Sequence, residues 1–315
     1  MIDRASIEAA AARIAGRVRV TPIVPLVAGD LGLPGDVTLK LESLQRSGSF
    51  KARGAFNRIL SSHPPAAGVI TASGGNHGAA VACAAADLGL RAHVFVPSVA
   101  PPAKIRRLRG YGAEVSVVGD RFSHAYEAMQ ARAAESGALI VHPYDQSGVL
   151  EGQGTLAREF EAQAPYLDTV LVAVGGGGLI GGVAAWFGGA TDRRVRVVGV
   201  EPEACPSLHR ALRTGEPVDV TVGGVAVDSL GATRVGALMF PIARAHVERV
   251  VLVSDDDICA AQRLAWDGLR LALEPGGAAA LAALSSGAYL PAPGERVGVV
   301  LCGGNVDPAT LEETQ

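Results

Sequence analysis

The sequence predicts an α/β protein made of two intertwined, doubly wound domains with mostly parallel sheets. Short β-branched runs alternate with helical patterns from residue 69 onward, and 49% of the 315 residues are apolar, enough to bury two sheets. No low-complexity linker and no fixed-period repeat divides the chain, so the two sheets are expected to interleave rather than follow one another.

The first series runs from a strand at Val69–Thr71 through a helix at about His77–Leu88, a strand at Ala92–Val96 and a helix near Pro102–Arg109. A strand at Glu114–Val118, a helix at Phe122–Glu135 and a strand at Leu139–Val141 complete it. Repeated βαβ of this kind implies parallel pairing. The rhythm resumes at Thr169–Val174, with a helix after Gly178, strands at Val195–Val200 and Arg249–Val253, a helix at Asp255–Leu273 and a strand at Val297–Leu301. Residues 68–145 are assigned to a small domain, and 1–67 with 146–315 to a large one. A ligand is expected in the cleft between them, off the carboxyl ends of the strands.

The 28 basic and 31 acidic residues are spread along the chain, for a net charge of −3, which argues against a nucleic-acid footprint or an anionic membrane surface. No apolar run reaches the roughly 18 residues a membrane span needs. Cys83, Cys205, Cys259 and Cys302 form no C-x-x-C pair, and Met1–Arg4 leads into an Ala-rich helical pattern rather than a secretory leader. A reducing cytoplasm and a small-molecule partner are expected.

Three glycine-rich loops and one lysine carry the chemistry. In Ser47-Gly48-Ser49-Phe50-Lys51 a turn leads into an apolar helical pattern, with Lys51 at the helix start. An isolated lysine is ordinarily solvated, but a desolvated one supplies a free amine that forms an imine with a carbonyl cofactor. Ser73-Gly74-Gly75-Asn76-His77 lies on a strand-to-helix turn, where backbone N–H groups suit a carboxylate or phosphate and the Asn76 amide suits a ring hydroxyl. An Asn/Gly turn capped by His77 is the plain alternative.

Gly175-Gly176-Gly177-Gly178-Leu179 follows the run Leu171–Val174 and feeds another helix start. Four consecutive glycines suit a loop that wraps one phosphate with successive N–H groups. Gly176, Gly178 and Gly181 also satisfy G-x-G-x-x-G, and Glu201 stands about 20 residues on, so an NAD-binding oxidoreductase is an open alternative here.

Taken in order, Ser49-Phe50-Lys51, Ser73–His77, Gly175–Gly178 and Leu301-Cys302-Gly303-Gly304-Asn305 resemble the serine/threonine dehydratase group of fold type II pyridoxal 5'-phosphate (PLP) enzymes, whose fold is like the tryptophan synthase β subunit. Thr21-Pro22, Val141–Asp145, Glu151–Thr155 and Leu273-Glu274-Pro275 extend the likeness over nearly the whole chain.

The resemblance implies that Lys51 holds PLP as a Schiff base and takes the Cα proton, while Phe50 and Asn76 flank the ring. By the same token Gly175, Gly176, Gly177, Gly178 and Leu179 grip the phosphate, and Cys302 with Gly303 lies at the pyridine nitrogen, with Glu274 nearby. Ser73, Gly74, Gly75, Asn76 and His77 would receive the substrate carboxylate. The implied reaction is loss of water from L-threonine or L-serine to give a 2-oxo acid and ammonia, with 3-hydroxyaspartate dehydration or serine racemisation as alternatives, in a homodimer.

Serine racemases carry a serine at the place of Gly74, so little racemisation is expected here. Their divalent-cation site is matched only in part: Glu201 aligns with one ligand, whereas Cys205 and Ser207 stand at the others. Glu201 thus reads as a partial cation ligand, a ribose acid or an exposed strand-end carboxylate. Glu274 reads otherwise as an exposed helix end, and Tyr144 as a cofactor neighbour or core residue. Asp228–Gly231 resembles a cofactor-lining segment without a definite register. The sequence stops ten residues after Asn305, and no regulatory domain or feedback control is expected.

Overall fold

Runs such as Val69–Ala72 and Thr169–Ala173 are buried on both faces, as strands are when helices cover a parallel sheet on each side. The computed structural model describes residues 2–190 and 194–311. Along the chain come α1 (Arg4–Ile14), β1 (Ile23–Leu26), β2 (Val37–Lys40), α2 (Lys51–Leu60), β3 (Val69–Ala72) and α3 (Asn76–Asp87). Next are β4 (Ala92–Val96), α4 (Pro102–Gly110), β5 (Glu114–Val117), α5 (Phe122–Ser136), β6 (Leu139–Ile140) and α6 (Ser147–Gln163). Then follow β7 (Thr169–Ala173), α7 (Gly178–Gly188), β8 (Arg196–Pro202), α8 (Ser207–Thr214), α9 (Val227–Leu230) and α10 (Met239–His246). The last elements are β9 (Val247–Val253), α11 (Asp255–Leu269), α12 (Pro275–Ser285) and β10 (Val297–Val300).

A six-stranded sheet has the order β1-β2-β10-β7-β8-β9, and a four-stranded one the order β5-β4-β3-β6. β1 runs antiparallel to β2, and the other paired strands are parallel. The four-stranded sheet is inserted between α2 and α6, which confirms the interleaving. From β7 the chain builds outward through β8 and β9, and β10 then returns to β7's other side. From β3 it builds through β4 and β5, and β6 returns in the same way. The loops after β7, β10 and β3 therefore sit at the two switch points, where an open α/β sheet leaves a crevice. No helix among the described residues is long and apolar enough to cross a membrane.

Several elements escape the sequence pattern for physical reasons. β1 is a short edge strand interrupted by Pro25, and β2 hides its buried character behind Lys40. Helix α6 contains Gly152 and Gly154, poor helix formers that packing demands. A Cβ on Gly152 would lie 2.6 Å from the Arg53 carbonyl, and one on Gly154 3.0 Å from that of Gly182. The helix expected to reach Leu273 stops at Leu269, because Arg270 turns into the left-handed region at φ 55°.

Beneath α2 lies a buried ionic cluster. Arg53 donates from Nε and Nη2 to the two oxygens of Glu42, at 2.8 and 2.7 Å, and from Nη2 to Glu159 at 3.0 Å. Lys40 Nζ donates to the Thr21 carbonyl at 2.8 Å and to Glu159 at 2.5 Å. Burial alone would raise the Glu42 carboxyl, but the Arg53 guanidinium holds it below its usual value. Arg53→Met leaves Glu42 buried without its main partner. We expect it to lower the unfolding free energy by about 3–5 kcal/mol, read from urea denaturation against the parent protein.

Candidate active site

Lys51 opens α2, whose start is tied to the loop that follows β10. Phe50 N–H donates to the Cys302 carbonyl at 3.0 Å, Gly304 N–H to that of Gly48 at 2.9 Å, and Ser49 bridges Gly303. The Lys51 amine donates to the Pro143 carbonyl at 2.8 Å and stands 5.1 Å from the Phe50 ring centre. Desolvation, partly offset by Cys302 and Glu274, lowers its pKa to about 8.

The amine faces a cavity that also carries Phe50, Asn76, Tyr144, Gly175–Gly178, Leu179, Glu274 and Cys302. Two further helix starts meet there. α7 begins at Gly178 and α3 at Asn76, and the first N–H groups of a helix have no intrahelical acceptor. Gly177 takes φ 89°, and a Cβ on Gly176 would lie 2.2 Å from the Tyr144 ring, so both positions demand glycine.

On the far side, Asn76 Nδ2 donates to Glu274 at 2.5 Å. Burial pushes the Glu274 carboxyl up to about 7, against the pull of that bond. Glu274 is 8% exposed and precedes α12, which corrects its reading as an exposed helix end. Cys302 Sγ donates to the Gly276 carbonyl at 3.3 Å, and burial drives the thiol well above its ordinary value, so it stays protonated. A Cβ on Gly303 would collide with Glu274, which explains glycine there.

Ser73 Oγ accepts from Gly75 N–H at 3.2 Å. His77 is buried with Nε2 at 2.9 Å from the Val141 carbonyl, and desolvation lowers its pKa to about 3, leaving it neutral. It lies in the first turn of α3 rather than capping it. At Gly74 and Gly75 a Cβ would meet no protein atom nearer than 3.4 and 3.7 Å.

Glu201 is fully buried, correcting the exposed strand-end reading. One oxygen accepts from Leu208 N–H and Ser207 Oγ, at 2.7 and 3.1 Å, and the other from His209 N–H at 2.8 Å. Its carboxylate is thus committed to the first turn of α8, which also removes it as a ribose acid. The Asp228–Gly231 register is resolved: Ser229 and Leu230 line the cavity, while Asp228 points outward to Lys104 at 2.7 Å.

Sequence reasoning missed the Pro143 carbonyl that anchors Lys51, and Asn305, whose Nδ2 donates to Asn76 Oδ1. Both belong to segments that carried the resemblance, but a backbone acceptor has no residue signature.

The family of pyridoxal-phosphate dependent enzymes matches residues 14–303. A phenylserine dehydratase of Ralstonia pickettii is 41% identical over 98% of this chain and 95% of its own. An L-threonine ammonia-lyase of Geobacter sulfurreducens is 40% identical over 99% and 77%. Among solved structures, maize serine racemase superposes with a TM-score of 0.90 at 32% identity, over 99% of this chain and 96% of that one. The family and fold type expected from the four segments are therefore the ones found.

The residues fit PLP: an amine for its aldehyde and, lining the same cavity, a glycine loop at a helix start for its phosphate. With the Lys51 amine titrating near 8, the rate of PLP attachment to the apo chain should rise with pH about a midpoint near 8. Stopped-flow absorbance from pH 6 to 10 measures it; a midpoint near an ordinary lysine's, about 10.4, contradicts the desolvated amine.

Proposed function

Since the chain belongs to the pyridoxal-phosphate dependent enzyme family, we propose that it removes water from a small β-hydroxy amino acid, L-threonine or L-serine, to give a 2-oxo acid and ammonia. One observation carries this reading: a desolvated lysine amine shares one cavity with two helix starts, one suited to a phosphate and the other to a carboxylate.

Bound PLP supplies the electron sink that makes the substrate Cα–H acidic. In this reading the N–H groups of Gly175–Leu179 hold the cofactor phosphate, and Phe50 and Asn76 hold its ring. The first turn of α3, with Ser73–His77, receives the substrate carboxylate. Protein packing does not require glycine at Gly74 or Gly75, so the space beside them is available to the ligand. The Lys51 amine, neutral in a large fraction near pH 8, is poised to take the Cα proton. The Cys302 thiol stays protonated and is too weak an acid to keep a pyridine nitrogen protonated, which favours elimination over reactions needing a stronger sink. The dehydrated amine then hydrolyses to the 2-oxo acid and ammonia.

The same proposal takes residues 1–67 with 146–315 as the large domain and 68–145 as the small one, on the strand membership of the two sheets. It also includes a homodimer in the cytoplasm, the latter supported by four free cysteines, three of them buried.

Lys51→Ala should abolish turnover and remove the borohydride-sensitive absorbance of bound cofactor; a variant that keeps both overturns the lysine's role. Product assays with serine, threonine, 3-hydroxyaspartate and phenylserine rank the substrates, with pyruvate and 2-oxobutyrate expected to dominate. A preference for phenylserine, for which one relative is named, would replace the small substrate with an aryl one.

Racemisation requires a proton carrier on each face of Cα, and Gly74 offers none. Gly74→Ser fits sterically, since the nearest atom to a Cβ there is 3.4 Å away. Chiral chromatography should find at least tenfold more D-serine from this variant than from the parent, and equal amounts would refute Gly74 as the limiting position.

A further inference from the structure

Asn305 ends the loop after β10 and touches two parts of the site. Its Nδ2 donates to the Ser47 carbonyl at 2.9 Å and to Asn76 Oδ1 at 2.5 Å. Its Oδ1 packs on Gly48, where a Cβ would lie 2.1 Å from it, and Gly48 itself adopts φ 72°. Ser47, a non-glycine residue at φ 58°, turns its carbonyl so that it accepts from both Asn305 and Arg107, the latter at 2.7 Å. This uncommon backbone is retained where the two donors meet.

The polarity of the chain follows from its ends. A backbone carbonyl can only accept, so Asn305 must turn its NH₂ toward Ser47. The same NH₂ reaches Asn76, whose facing atom must then be its oxygen. The Asn76 NH₂ is left pointing toward Glu274, a carboxyl that accepts at 2.5 Å. Its second hydrogen has no protein acceptor among the described residues, and Asn76 lines the cavity beside Lys51.

We propose that Asn305 is a positioning residue that locks the Asn76 amide so that an N–H, rather than a carbonyl, meets the ring oxygen of the cofactor. This rests on the reading that PLP lies beside Lys51. A donor there favours the ionised ring oxygen over the protonated one, because hydrogen bonding to a charged form stabilises it. Asn305 thereby acts on the cofactor's protonation state without touching the cofactor.

Asn305→Asp reverses the polarity. A carboxylate cannot donate to Ser47 or to Asn76 Oδ1, and Asn76 must flip to satisfy it, placing its carbonyl toward Glu274 and the cavity. Asn305→Ala removes the constraint without reversing it. The experiment measures the PLP dissociation constant and the pH titration of the bound-cofactor spectrum for the parent and both variants, with circular dichroism as the folding check.

Asn305→Asp should weaken PLP binding about tenfold or more, the effect of about 1.4 kcal/mol, and move absorbance from the visible-edge band toward the near-ultraviolet form that keeps its ring-oxygen proton. Asn305→Ala should change both in the same direction by less. If Asn305→Asp does not fold, Asn305→Ser, whose one hydroxyl can serve Ser47 or Asn76 but not both, should give the smaller shift. Unchanged spectra and affinity in the folded variants, or an alanine effect as large as the aspartate effect, overturn the proposal. A parent protein without Lys51-dependent absorbance instead overturns the cofactor's placement.

Discussion

Arg53 and Glu42 meet through two parallel hydrogen bonds at 2.7 and 2.8 Å, both nearly sealed from water, and Glu159 of α6 and Lys40 at the end of β2 extend the pair. Either charge alone is costly to bury, so the pair tolerates little misalignment. It binds the turn at residues 42–44 to the second residue after Lys51, and through Glu159 and Thr155 to α6. Ser43 N–H in that turn donates to the Leu301 carbonyl, and Phe50 N–H to that of Cys302. A charge pair outside the cavity thereby sets where Lys51 leaves α2 and how the Cys302 loop lies against it.

The cavity is organised against water as much as around charge. Desolvation lowers Lys51 and His77 and raises Glu274 and Cys302, so each of these groups moves toward its neutral form. The proposed anion sites use backbone N–H groups at the starts of α3 and α7, which carry partial rather than full charge. Preorganised dipoles of this kind cost less to bury than lysines or arginines would.

Close helix packing makes this arrangement possible. Gly54 and Gly152 bring α2 and α6 together, and Gly154 and Gly182 do the same for α6 and α7. Without side chains at these contacts, the start of α2, which carries Lys51, and the start of α7 can approach through the single helix between them. The many small residues that look like weak helix formers in the sequence are the condition for that approach.

The alternation of strands and helices was legible because each buried parallel strand is a short apolar run with its own turn signals. The site loops were legible because glycine at a strand-to-helix turn has few other uses. β1, β2 and α6 were not, since an edge proline, a buried lysine and two packing glycines obscure their periodicity. For Glu201 and Glu274 an exposed reading stayed open beside the others for a related reason: burial of a carboxylate depends on partners brought from distant segments.

The sequence by itself determined the fold class and placed a lysine and the glycine loops at strand-to-helix turns and helix starts, because those placements rest on local backbone chemistry. Only the tertiary structure decided which carbonyl holds the lysine, which way the Asn76 amide faces and which groups stay neutral, because those depend on hydrogen-bond partners up to 258 residues apart and on the exclusion of water around them.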